Sequence, residues 1–249
     1  MSFPNTVYGK AGWEKVLTSD QRHKLGTRMA FADGRVYRYC LVAGSEIAAG
    51  RLVQAPATDA ADDMDLAWAS GGGAGETTVT TGTSLTITKD QYKEGWLYTN
   101  DAAGEGCIYP IKSNTAVTSA TGCEFTIDEE DGFSIALTAT SSLFGVLYNI
   151  YDSVIVQPTT ITNAAVGVSP TTMTASYYGW LQTWGPCAVL DYGATWVVGD
   201  QIAAAESTNA GAATLLDSSS AQDNQSVGYS MYIKPATTDF GFVMLTLAP

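Results

Sequence analysis

The sequence predicts an all-β fold of sandwich- or barrel-like modules made from short antiparallel strands, preceded by an extended N-terminal arm. Three observations carry this expectation. Apolar residues recur with period two, most plainly from Thr77 to Thr88, where Val79, Thr81, Thr83, Leu85 and Ile87 share one face. The runs are short and are separated by Gly, Asp, Asn or Pro, residues that stop strands and make turns. Strand-like runs do not alternate with long helical ones, which argues against a doubly wound α/β sheet.

Four segments follow from the pattern: a basic arm (1–34), leading strands with a Gly-rich linker (35–76), a central β-module (77–160) and a C-terminal β-module (161–249). The arm holds one expected helix, Gly12 to Lys24, with Trp13, Val16 and Leu17 on one face. From Arg35 the period becomes two: Tyr37, Tyr39 and Leu41 alternate with Val36, Arg38, Cys40 and Val42. Gly44 and Gly50 bracket a turn region, and Arg51 to Gln54 resumes an extended run. Residues 57–76, rich in Ala, Asp and Gly, read as a linker or exposed loop. Further strands are expected at Trp96–Thr99, Cys107–Lys112, Glu124–Ile127, Phe133–Leu137 and Val146–Tyr151. After a polar passage come Tyr177–Trp184, Cys187–Leu190, Thr195–Val198, Val227–Ile233 and Phe240–Leu247. A short internal echo pairs Gly44-Ser45-Glu46-Ile47-Ala48-Ala49 with Gly199-Asp200-Gln201-Ile202-Ala203-Ala204.

Charge narrows the function classes. Charged residues are 15% of the 249, below the usual quarter or so, and Thr, Ser, Ala and Gly take their place, which suits a surface covered by neighbouring subunits. The net charge of −13 argues against nucleic acid as a partner, since phosphate binding draws on Lys and Arg. The distribution is uneven: residues 1–51 carry eight basic and four acidic side chains, or +4, leaving −17 on the rest. A basic leading segment on an acidic body is an electrostatic handle for a larger acidic surface. No apolar run is long enough to span a membrane, and the first residues lack a secretory pattern, so synthesis in a cytoplasm is expected. Cys40, Cys107, Cys123 and Cys187 lie far apart and read as reduced core residues.

Catalytic signatures are sparse. His23 is the sole histidine, no G-x-S-x-G elbow is present, and the usual ligand set of catalytic zinc cannot be assembled. Asp59, Asp62, Asp63 and Asp65, or Glu129, Glu130 and Asp131, are oxygen-rich enough for Ca²⁺ but do not match a calcium loop, so solvated acidic turns are the favoured reading. Gly71 to Gly75 lacks the Lys-Ser/Thr of a phosphate cradle. Asn224-Gln225-Ser226 fits a glycosylation triplet but carries little weight without a secretion signal. No catalytic, cofactor or metal site is therefore expected. Tyr177, Tyr178, Trp180, Trp184, Trp96, Tyr98 and Tyr109 offer a sugar-stacking platform as one reading, and core or subunit-interface packing as the favoured one.

The passages Asp90 to Tyr98, Gly104 to Asn114 and Tyr178 to Cys187 resemble β-rich virion proteins of tailed phages. Val198-Gly199-Asp200-Gln201-Ile202, Gly211 and Val227-Gly228-Tyr229 are similar to the closing β-module of head decoration proteins. The resemblance spans roughly Asp90 to Leu247. It implies a non-enzymatic subunit, a homotrimer, that binds the major capsid protein on the outer face of the shell and reinforces it. The resemblance carries over no individual contact residues; the basic charge of the leading segment makes Arg22, Lys24, Arg28, Arg35 and Arg38 the expected capsid contacts, and strand context makes Tyr178, Trp180 and Trp184 the expected subunit-interface aromatics. The alternatives are a head or tail fibre protein with a glycan-binding aromatic surface, and a major shell or tail-tube subunit.

Overall fold

A computed structural model describes residues 6–58, 64–137, 142–205, 209–216, 225–235 and 239–249. Among them are nineteen strands and one turn of 3₁₀ helix, so the chain is all-β. It divides into two compact units: Met1–Ala57 with Ile150–Pro249, and Thr58–Asn149 between them. These boundaries differ from the four segments expected, because the second unit is an insertion rather than one of a series. It leaves the first unit after β4 (Leu52–Gln54) and returns at β13 (Ile155–Val156). Those strands pair antiparallel, Val53 opposite Val156, so the chain exits and re-enters at adjacent points, as inserted domains do.

The inserted unit is a closed six-stranded barrel. Its strands are β5 (Leu66–Gly71), β6 (Thr78–Thr81), β8 (Trp96–Asp101), β9 (Ile108–Asn114), β11 (Glu124–Ile127) and β12 (Leu143–Leu147), closed in the order β11-β6-β5-β12-β8-β9. Leu66, Val79, Leu97, Ile111, Phe125 and Phe144 point inward and are fully buried, as a small barrel requires. The alternation from Thr77 to Thr88 is interrupted: Gly82 turns the chain, its N–H donating to Ala67 O. β7 (Leu85–Ile87) then pairs outside the barrel with β10 (Val117–Ala120).

The first unit is one large sheet. Its main path runs through β1 (Thr6–Tyr8), β2 (Arg28–Ala30), β3 (Val36–Leu41), β15 (Tyr178–Leu190), β19 (Phe240–Thr246), β18 (Ser226–Ser230), β16 (Gln201–Ala204) and β17 (Ala213–Leu215). β14 (Ala165–Val168) bridges β15 and β4. Residues 6–34 are not a free extended arm but turns, bends and two short strands, β1 and β2, which continue this sheet. The expected helix over Gly12–Lys24 is corrected to a single 3₁₀ turn, Trp13–Lys15. Gly12 sits at φ 98° with no side-chain cap, Trp13 and Val16 are exposed, and the segment's apolar burial comes from Leu17, Leu25 and Met29 against the sheet.

An internal repeat underlies this unit. In the first copy β3 leads through a turn to β4, and in the second β15 leads through a matching turn to β16. Ile47 forms an antiparallel bridge with Met173, and Trp196 forms the same bridge with Lys234. Val42 bridges Val154 in parallel, and Asp191 bridges Ala213 likewise. The Gly50 and Gly199 N–H groups donate to Ser169 O and Ser230 O, and the N–H groups of those two serines return to Arg51 O and Asp200 O. Both glycines have positive φ, 71° and 88°, the conformation that favours Gly. The register differs from the sequence echo: Gly44 corresponds to Gly193 and Gly50 to Gly199. The barrel enters the first copy after β4, where the second copy passes from β16 to β17 through positions 205–212.

Candidate functional site

The outer face of the β15–β19–β18 ribbon is the most extensive candidate. Opposed residues fix it: Leu190 with Phe240, Ala188 with Phe242, Pro186 with Met244, and Tyr229 with Met244. The alternate positions Cys187, Val189, Val227, Val243 and Leu245 fill the core, so the pleat sends the first set outward. Phe240 and Phe242 are 48% and 44% exposed, and Tyr229 and Met231 continue the surface. At one end Val198 and Ile233 are 65% and 67% exposed. No charged side chain occupies these outward strand positions. These outward strand positions group several large apolar side chains on one face, unlike the scattered exposed apolar residues of ordinary monomers, and at the Pro186 and Ala188 end the face borders Glu14, Lys15 and Arg35.

This face was not singled out by sequence reasoning. The signal was present in Phe240-Gly-Phe-Val-Met-Leu-Thr246, where neither alternate set is charged. A strand apolar on both sides either lies between two layers or presents one side to a partner.

A second feature is an aromatic cavity of about 400 Å³ lined by Val7, Trp13, Val16, Thr18, Arg22, His23, Met29, Tyr39 and Trp180. β3 and β15 place Tyr39 opposite Trp180, with ring centroids 5.0 Å apart. His23 meets Tyr39 edge-on at 5.1 Å and Trp180 at 5.4 Å, and Tyr178 stacks on Tyr39. The Arg22 N–H donates to Tyr39 Oη at 3.0 Å, which pins the loop across the rings. Partial burial lowers the pKa of His23 from its ordinary value. Among the described residues no carboxylate lines this cavity, and its walls suit stacking and apolar contact.

Of the expected basic contacts, Arg22 and Lys24 lie in the loop before β2, Arg28 in β2, Arg35 just before β3 and Arg38 within it. Arg22 is exposed with only a loose approach to Asp20 at 3.9 Å, and Lys24 lies exposed in the following turn. Arg28 in β2 stands opposite Arg38 in β3. Arg38 donates to Gly26 O and Pro249 O, an internal bracing role. Arg35 makes two bonds of 2.8 Å to Asp33 Oδ2, donates to Tyr37 Oη and covers the Phe31 ring at 5.0 Å. Slight burial raises the Asp33 pKa, but the hydrogen bonds and charge of Arg35 outweigh it and leave the carboxyl below its ordinary value.

The aromatic platform is divided between the units. Trp96, Tyr98 and Tyr109 belong to the barrel, and Tyr177, Tyr178, Trp180 and Trp184 to the sheet. Trp180 and Tyr109 are buried, Tyr178 and Trp184 half-buried. All four cysteines are free, three of them buried; desolvation raises Cys187 to about 12. Asp59, Asp62 and Asp63 lie outside the described residues, as does Asn224. Among the described residues no group of three His, Cys, Asp or Glu is placed to hold a metal ion, and no helix is long and apolar enough to cross a membrane. No protein-family model matches the sequence, and neither a curated protein nor a solved structure matches it.

Proposed function

We propose that the chain is a non-enzymatic virion protein that decorates and stabilises the outside of a tailed-phage capsid as a homotrimer, contacting the major capsid protein. The observation that carries this reading is the uncharged outer face of β15–β19–β18. Burying Phe240, Phe242, Tyr229 and Met231 against another protomer removes large apolar side chains from water at roughly 25 cal/mol per Å². Arg22, whose approach to Asp20 is a loose 3.9 Å, together with Lys24 and Arg28 of the basic leading segment, would meet an acidic shell. Arg35 and Arg38, which also brace the protein's own loops, complete the proposed set of capsid contacts.

Phe242→Asp tests the assembly step, because it places a charge in the centre of the face without touching the core. Light scattering is expected to give trimer for the native chain and monomer for the variant, with unchanged circular dichroism; a native monomer at micromolar concentration would refute the reading. Exchanging Arg22, Lys24 and Arg28 for Glu is expected to lower occupancy on purified particles while leaving the trimer intact.

The aromatic cavity supports a second reading, a fibre protein that binds host glycan against Trp13 and Trp180. Saturation-transfer NMR with a panel of oligosaccharides separates the two: transfer to sugar protons that disappears in Trp13→Ala favours the fibre.

A further inference from the structure

Asp191 and Lys234 form an ion pair inside the sheet unit, Nζ to Oδ2 2.5 Å, with side-chain exposures of 0% and 2%. Asp191 directly follows β15, and Lys234 lies between β18 and β19. Both are held by backbone bonds: the Asp191 N–H donates to Asp239 O, and Lys234 exchanges two 3.0 Å bonds with Trp196. Lys234 Nζ also donates to Pro235 O at 3.0 Å and lies 5.8 Å from the Trp196 ring centroid. Asp191 Oδ1 is buried and accepts no hydrogen bond among the described residues.

The repeat supplies the comparison. The positions of Asp191, Trp196 and Lys234 are filled in the first copy by Val42, Ile47 and Met173, all fully buried. The same turn is thus built elsewhere in this chain from apolar side chains, so packing does not require the two charges. A buried ion pair is no more stabilising than well-packed apolar residues of similar volume, and a carboxylate oxygen left without a donor adds a further cost. An amine and a carboxyl group held in contact and shielded from water are the reactants of amide formation.

We propose that Lys234 and Asp191 are joined by an intramolecular isopeptide bond. The proton on Nζ passes along the hydrogen bond to Oδ2, leaving a neutral amine beside a carboxylic acid. The Nζ lone pair attacks Asp191 Cγ, the C–N bond forms, the C–Oδ2 bond breaks, and the hydroxyl departs with one amine hydrogen as water. No oxidant, reductant or co-reactant enters. Fixed contact supplies the effective concentration that free amine and acid lack in water. The product retains one N–H, which Pro235 O is placed to accept, and Oδ1 becomes a neutral carbonyl whose unpartnered burial costs less than that of a carboxylate. The bond ties residues 43 positions apart and closes β16, β17 and β18 into a covalent loop.

Intact-mass spectrometry of the purified folded chain tests this. The expected result is a mass lower than that of the sequence by one water, about 18 Da, with a branched peptide joining the segments of Asp191 and Lys234 after proteolysis. Asp33-Gly34 and Asp131-Gly132 can lose water as succinimides, so the loss must vanish in Lys234→Met. The double variant Asp191→Val with Lys234→Met installs the first copy's residues; it is expected to fold at full mass but to unfold at lower denaturant concentration. Full sequence mass for the folded native chain overturns the proposal, as does a water loss that survives in Lys234→Met.

Discussion

His23 shows how one side chain carries both a structural and a titration consequence. Its ring is wedged between Tyr39 and Trp180, and desolvation holds its pKa below the ordinary value. As pH falls, the unfolded chain therefore binds the proton before the folded one does. The stability His23 supports is fully present above its unfolded pKa, about 6.5, and is lost as pH falls below that value until the folded imidazole also titrates. Urea midpoints measured from pH 7.5 down to 5 are expected to fall for the native chain and to fall less steeply for His23→Gln. An identical slope in the two proteins would place the titrating group elsewhere. The histidine itself was conspicuous in the sequence as the only one, but its aromatic cage was not. Residue 23 meets residues 39 and 180 only because β3 and β15 pair in the register Tyr39 to Trp180.

The elements owe their geometry to a few backbone positions. Gly241 in β19 faces the core, where a Cβ would lie 1.9 Å from the Trp196 ring. Gly241→Ala must displace a fully buried indole, and overpacking of this kind costs about 1–3 kcal/mol. Gly199, the turn glycine of the second repeat, has open space around it but a positive φ, so Gly199→Ala is expected to cost only about 1 kcal/mol through backbone strain. Gly50, its counterpart, combines positive φ with the Phe240 ring 2.4 Å from the Cβ position and should be the more sensitive of the two turns. Chemical denaturation of the three variants checks the order, with Gly199→Ala expected to be the mildest. The short strands were legible because alternation is a local property. The helix expected from Trp13, Val16 and Leu17 failed because three apolar residues at helical spacing do not outweigh β1 and β2 joining the sheet on either side.

At the scale of the whole chain, insertion and repetition account for the order of strands. The second repeat closes the path from β16 to β17 without a barrel, so the first repeat contains what it needs to close between β4 and β13. Replacing residues 58–149 by the sequence of positions 205–212 is expected to leave a folded sheet unit with a single cooperative unfolding transition. The barrel expressed alone, with its own aromatic core of Tyr92, Phe125 and Phe144, is expected to give dispersed amide NMR signals. Collapse of the sheet unit without the barrel would show that the insertion is required for folding.

The sequence by itself determined the all-β class and the approximate places of most strands, because period-two patterning and turn residues are written along the chain. It also carried a trace of the repeat, six residues long and in the wrong register, since Gly-Asp-Gln-Ile matches Gly-Ser-Glu-Ile by composition while the backbone bonds align Gly50 with Gly199. Tertiary structure alone decided that the central module is inserted between two paired strands, that Arg35 and Arg38 make internal contacts, and that Phe240, Phe242 and Tyr229 share one exposed face. It alone brought Asp191 against Lys234. These are relations between residues far apart in sequence, fixed by strand register and by which side of the pleat meets the core, and no local pattern encodes them.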